Sequence, residues 1–112
     1  MDGAWKHFDL SAEIAKRKDS DRPYREFLRV PALSCGIYFL PAGAPDLQNP
    51  HDEDEVYQVV SGRGRIRVDG QERSVGPGSI LYVSATSEHS FFEIDEDITL
   101  LVFFASGGPS GD

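Results

Sequence analysis

The chain predicts an all-β domain, a sandwich or a barrel, and three observations carry that prediction. About seven short runs rich in Val, Ile, Tyr and Phe are separated by Gly, Pro and Asp turn residues. Helical patterning is confined to one short stretch near the N-terminus. The 112 residues suffice for one domain with its own core and no disulfide framework. The single cysteine, Cys35, sits in the apolar run ALSCGIYFL and reads as a buried, inert thiol. Pattern alone does not choose among all-β topologies.

Composition narrows the partners. A formal net charge of −8 argues against a nucleic-acid backbone, which needs clustered Lys and Arg. No run approaches the roughly 20 apolar residues of a membrane span. The N-terminal MDGAWKHFDL lacks the long apolar segment of a signal peptide. With one cysteine, a reducing, cytoplasmic setting is the expectation.

Taken in order, residues 1–30 read as an N-terminal arm and short helix packed on the barrel. Trp5 and Phe8 need cover. SAEIAKRK, residues 11–18, forms the helix, with Ser11 as its cap and Lys16, Arg17 and Lys18 at its negative end. DSDRP ends it, and YREFLRV follows as an apolar–polar mixture stopped by Pro31. Residues 31–105 form the barrel. LSCGIYFL, 33–40, is a strand apolar on both faces, so it lies centrally or under another subunit. The loop 41–54 holds three prolines and is long enough to be functional. VYQVV follows Glu55, and period-two alternation turns Glu55, Tyr57 and Val59 inward together. The chain breaks at Ser61-Gly62 and resumes as GRIRV, with Arg63, Arg65 and Arg67 on the face opposite Ile66. Such a basic stripe is expected to pair across strands with acids such as Glu72. Asp69-Gly70 is a tight hairpin turn. QERSV, SILYV, SFFEI and ITLLVFFA read as further strands, with DED at 95–97 as an acidic turn between the last two. In SFFEI, His89, Phe91 and Glu93 share a face. Residues 106–112 read as a frayed tail.

Three side chains suggest chemistry. His51 and Glu55 stand four apart where a loop enters a strand, and His89 begins a later strand. Two imidazoles and one carboxylate can make a facial set on a divalent ion, with Fe, Zn, Mn or Ni suited to nitrogen and oxygen ligands. A carboxylate paired with an arginine and a hydrogen-bonded core histidine are the competing readings of Glu55 and His89.

The stretch from 41 to about 104 resembles the small single-domain cupins. Gly43, His51, Glu55 and Gly62 fall on their first motif, Gly then His-x-His, Glu and a closing Gly. Gly78, SILYV, Ser84-Ala85-Thr86 and His89 fall on the second. Asn49 stands in place of the first motif histidine, and Ser84 and Thr86 replace the Pro and Gly of the second motif. The resemblance implies a double-stranded β-helix, or jelly-roll barrel, with a metal held by His51, Glu55 and His89. The remaining position would fall to Asn49 through its amide oxygen, or to Gln48. It further implies a small-molecule cavity lined by Tyr38, Tyr57, Ile66, Phe91 and Phe103, with Tyr57 or Glu93 handling a proton. The activity expected from it is metal-dependent dioxygenation of a small organic molecule, with isomerisation or non-catalytic ligand binding as alternatives. A homodimer is expected, because strands 33–40 and 98–105 and the Trp5 arm need more apolar cover than one small barrel offers.

Overall fold

The computed structural model describes residues 4–46 and 52–105. Its elements are α1 (Leu10–Lys18), β1 (Tyr24–Val30), β2 (Leu33–Leu40), β3 (Glu55–Val68), β4 (Gln71–Val75), β5 (Ile80–Val83) and β6 (His89–Ala105). The strands are antiparallel in the order β1-β2-β6-β3-β4, with β5 also pairing β3. The tail 106–112 and residues 47–51 lie outside the described residues.

The β3–β6 ribbon organises the rest. Its register runs from Glu55↔Phe104 to Val59↔Leu100, shifts through Ser61 and Arg63, and resumes from Arg65↔Phe92 to Val68↔His89. Thirteen straight steps would separate Glu55 from Val68 by about 43 Å. The bulges bend the ribbon instead, so that one half lies over the other. The outer edge of β3 is divided accordingly: β5 pairs Glu55–Gln58, and β4 pairs Gly64–Val68. Gly62 sits in the bend at φ +94, and a β-carbon there would be driven into the Asp97 carbonyl. No other residue type meets both demands.

The core lies between the two halves: Tyr57, Val59, Ile66, Phe91, Ile94, Ile98, Leu100 and Val102 are all buried. Asp69 and Gly70 have φ of +48 and +86, the pair of positive values that a type I′ hairpin turn requires. Cys35 is buried, as its apolar run implies.

Several expectations change. Asp9 caps α1 through a hydrogen bond from Ala12 N, in place of Ser11, which starts one position too late. Residues 24–30, read as part of the arm, are an edge strand paired with β2. Neither Ser61-Gly62 nor 95–97 breaks its strand; both are bulged passages within β3 and β6. Cover for β2 also comes from within the chain. α1 lies against β1 and β2, held by an ion pair from buried Glu13 to Arg25 and by Arg17 over the Phe39 ring. Phe8 packs on Phe27, while Trp5 stays 78% exposed. The basic stripe is paired as expected, with Arg65 and Arg67 on Glu72 and both cations against the Phe92 ring.

Candidate metal centre and cavity

Folding the ribbon over brings its opposite ends together. Glu55 opens β3 and pairs with Phe104, while His89 opens β6 and pairs with Val68. Even so, His89 Nε2 lies 3.2 Å from Glu55 Oε1, with the two side chains 2% and 1% exposed.

Short polar contacts hold the two ends in place. Asp54, beside Glu55, accepts a hydrogen bond from Ala85 N at 2.8 Å and so ties the start of β3 to the turn before His89. Asp69 N donates to the Glu88 carbonyl, and the Asp69 carboxylate accepts from Glu88 N. The hairpin is thereby fixed to the residue preceding His89. Within the turn, Thr86 has φ +65, a left-handed conformation costly for a β-branched side chain.

The imidazole is oriented by main chain. His89 Nδ1–H donates to the Ser87 carbonyl at 2.9 Å, which leaves Nε2 as the acceptor nitrogen of the neutral ring. Nε2 faces the Glu55 carboxylate and lies 3.1 Å from the Tyr57 hydroxyl oxygen. A lone pair and a carboxylate facing each other in a buried site require positive charge between them. A proton meets that need, and the hydrogen bond to Glu55 raises the His89 pKa accordingly. A divalent ion meets it equally. With bonds of about 2.1 Å, two neighbouring ligands at a right angle stand about 3.0 Å apart, close to the spacing found here. Buried imidazole and carboxylate are also the donor types such ions take. The residues present therefore fit a metal ion.

The other sequence-derived ligands, His51, Asn49 and Gln48, lie outside the described residues. Among the described residues no group of three or more His, Cys, Asp and Glu gathers closely enough to hold an ion. Glu53 is half-buried on the wall of the neighbouring cavity.

That cavity, about 340 Å³, lies on the concave face of β1, β2, β6 and β3 and reaches the centre through Tyr57. Tyr38 lines it as well, its hydroxyl donating to Asp46 at 3.0 Å. Burial, reinforced by Asp46, pushes the Tyr38 pKa upward and keeps the phenol protonated. The second Asp46 oxygen accepts from Phe91 N, so one carboxylate pins the 41–46 segment to both β2 and β6. Ile66 and Phe91 are buried in the core and are not among the residues lining this cavity.

Glu93 and Phe103 need correction, and one cause accounts for both. Glu93 has φ +45, which breaks the alternation of β6. Phe91 is buried before it; afterwards the inward residues are Ile94, Ile98, Leu100 and Val102. Glu93 therefore points out, 70% exposed and beside Arg65, away from any proton-transfer position. Phe103 faces outward, and Phe104 lines the cavity in its place. Because ITLLVFFA is apolar at both parities, its sequence carried no sign of this phase change. Sequence reading also missed Tyr24, Glu26, Arg29 and Ser34, which complete the cavity wall.

Comparison with known proteins agrees with this architecture. The chain is 45% identical over 100 residues to an uncharacterized protein of Streptomyces coelicolor, covering 89% of this chain and 95% of that one. A cupin protein from Bacteroides fragilis superposes with a TM-score of 0.68 at 19% identity, over 98% of this chain and 90% of that one. The DMSP lyase DddQ from Ruegeria pomeroyi gives 0.65 at 21% identity over 72% of this chain; the match spans 42% of that longer chain. At such identities the likeness concerns the fold, a double-stranded β-helix. The cupin domain model matches residues 36–104, which include β3, β6 and the Glu55–His89 pair, and the chain belongs to the cupin domain family.

Proposed function

We propose that this cupin is a metal-dependent enzyme that carries out proton-transfer chemistry, an isomerisation or elimination, on a small organic molecule. The observation that carries this reading is His89 Nε2 facing Glu55 beside the Tyr57 hydroxyl, at the inner end of a cavity sized for a small molecule. His89 and Glu55, with His51, would hold a divalent Fe, Mn, Zn or Ni ion, and Asn49 or Gln48 would supply a further oxygen. When bound, the ion supplies a Lewis acid for a substrate oxygen. Tyr57 presents a phenol at the cavity wall, where it can give or take a proton at its hydroxyl oxygen. The Tyr57, Val102 and Phe104 walls exclude water from the reacting end.

Dioxygenation is the second reading. Two imidazoles and one carboxylate leave coordination positions open, the pattern of non-haem iron sites. The protein is taken to act as a homodimer through the outer face of β5, β3 and β6. There Tyr82, Val56 and Phe103 form one cross-strand row, with Tyr82 and Phe103 exposed and Ile80 70% exposed beside them. The cytoplasm remains the expected location; no helix among the described residues is long and apolar enough to cross a membrane.

Elemental analysis of the purified protein tests the reading. We expect about one divalent ion per chain, lost in His89→Ala and retained in Glu53→Ala. A protein that stays metal-free after equilibration with Fe, Mn, Zn and Ni would leave only a metal-independent ligand binder.

A further inference from the structure

The cavity mouth is shaped by an irregularity in β1. Register runs Tyr24↔Tyr38 and Glu26↔Gly36, then Leu28↔Cys35 and Arg29↔Ser34, so Phe27 is one residue extra. In a regular strand Arg29 would face away from Tyr24 and Glu26. The bulge turns it onto the same face, and all three line the cavity. Pairing then places Arg29, Ser34, Phe104 and Glu55 in a single cross-strand row, with the candidate metal centre at one end and the guanidinium at the other.

Arg29 is held at a fixed angle. The Glu26 carboxylate accepts from its Nε at 3.0 Å and its Nη2 at 2.8 Å. Those bonds use two of its five N–H groups and leave the Nη1 edge without a partner among the described residues. Its side chain is 64% exposed, consistent with a residue at the entrance. Further in, the Tyr24 hydroxyl is shielded from solvent over Gly36 and has no hydrogen-bond partner. Buried hydroxyls rarely stay so. Ser34, buried on the next strand, adds a third hydroxyl-scale donor to the wall.

We infer that Arg29, Ser34 and Tyr24 form a carboxylate subsite at the cavity mouth, and that the ligand is a short monocarboxylic acid with its reacting carbon toward Tyr57. A pre-oriented guanidinium edge matches a carboxylate with two parallel hydrogen bonds. The aliphatic and aromatic wall between the two ends suits a short hydrocarbon chain. Glu26 and Glu53, also on the wall, repel a second carboxylate and limit the ligand to one. This inference rests on the small-molecule reading above and adds the chemical class of the molecule.

NMR titration of the full chain with butanoate, butanamide and succinate tests it. Butanoate should bind at least about tenfold more tightly than the amide or the diacid, the scale of one charge-assisted pair. Arg29→Gln should abolish that preference, and Arg29→Lys should keep part of it. In His89→Ala, which empties the metal centre, the preference should persist. Equal affinities, a preference surviving in Arg29→Gln, or no butanoate-dependent shifts up to about 50 mM would overturn the subsite. Loss of the preference in His89→Ala with Arg29 intact would also overturn it, because the ion would then be holding the acid. His89→Ala that keeps its metal would sink the metal reading and leave the subsite standing.

Discussion

The two halves of the β3–β6 ribbon share strands and opposite fates. From Glu55 to Val59 the inward side chains include an acid and a phenol, with His89 folded over them. From the bulges onward, Ile66, Ile94 and Ile98 pack as a plain apolar plug with Leu100 beside them. Hydrophobic contact stabilises the second half directly. The first half buries a carboxylate and an imidazole, which cost desolvation energy and return it only when paired. The comparison teaches that stability and chemistry are housed at different ends of one ribbon, separated by the bend.

Breaking the bend should have the largest effect. Gly62→Ala meets a backbone carbonyl and an unfavourable φ together. We expect a loss of about 3 kcal/mol or more in denaturant unfolding, with both ends of the ribbon disrupted. Next comes the plug. Leu100→Ala should lose about 2–5 kcal/mol while retaining the metal content of the parent. Replacing Glu55 and His89 together by Leu should do the reverse, removing metal while leaving unfolding free energy unchanged or about 1–4 kcal/mol higher. A double variant that unfolds while Leu100→Ala stays stable would erase the division of labour. A smaller change sharpens it: Thr86→Gly should gain about 1 kcal/mol by relieving left-handed strain, with metal retained. Smallest in folding energy is Tyr82→Ser with Ile80→Ser on the exposed face, within about 0.5 kcal/mol for the folded chain. Light scattering should nonetheless show that pair of changes converting a dimer to a monomer. A parent already monomeric at micromolar concentration would refute the dimer.

Much of this was legible in the residues. The apolar runs, the Asp69-Gly70 turn and the inward set Glu55, Tyr57 and Val59 follow from short-range rules that tertiary structure did not override. His89 and Glu55 were readable as a pair because a resemblance supplied the distance that spacing could not. What escaped were phase changes. The extra residue at Phe27, the bend at Gly62 and the twist at Glu93 each exchange the faces of everything downstream, and apolar residues on both sides conceal the exchange. Arg29 was lost for that reason, as were the true orientations of Glu93 and Phe103. Asp46 and Asp54 look like ordinary loop acids until the fold shows which amides they cap.

The acceptor that orients His89 is the carbonyl of Ser87, an atom every amino acid carries. The identity of the side chains in that turn can therefore drift across generations without changing which nitrogen the imidazole offers inward. Departures such as Ser84 and Thr86 then alter how firmly the loop is braced, while the chemistry they frame is inherited intact.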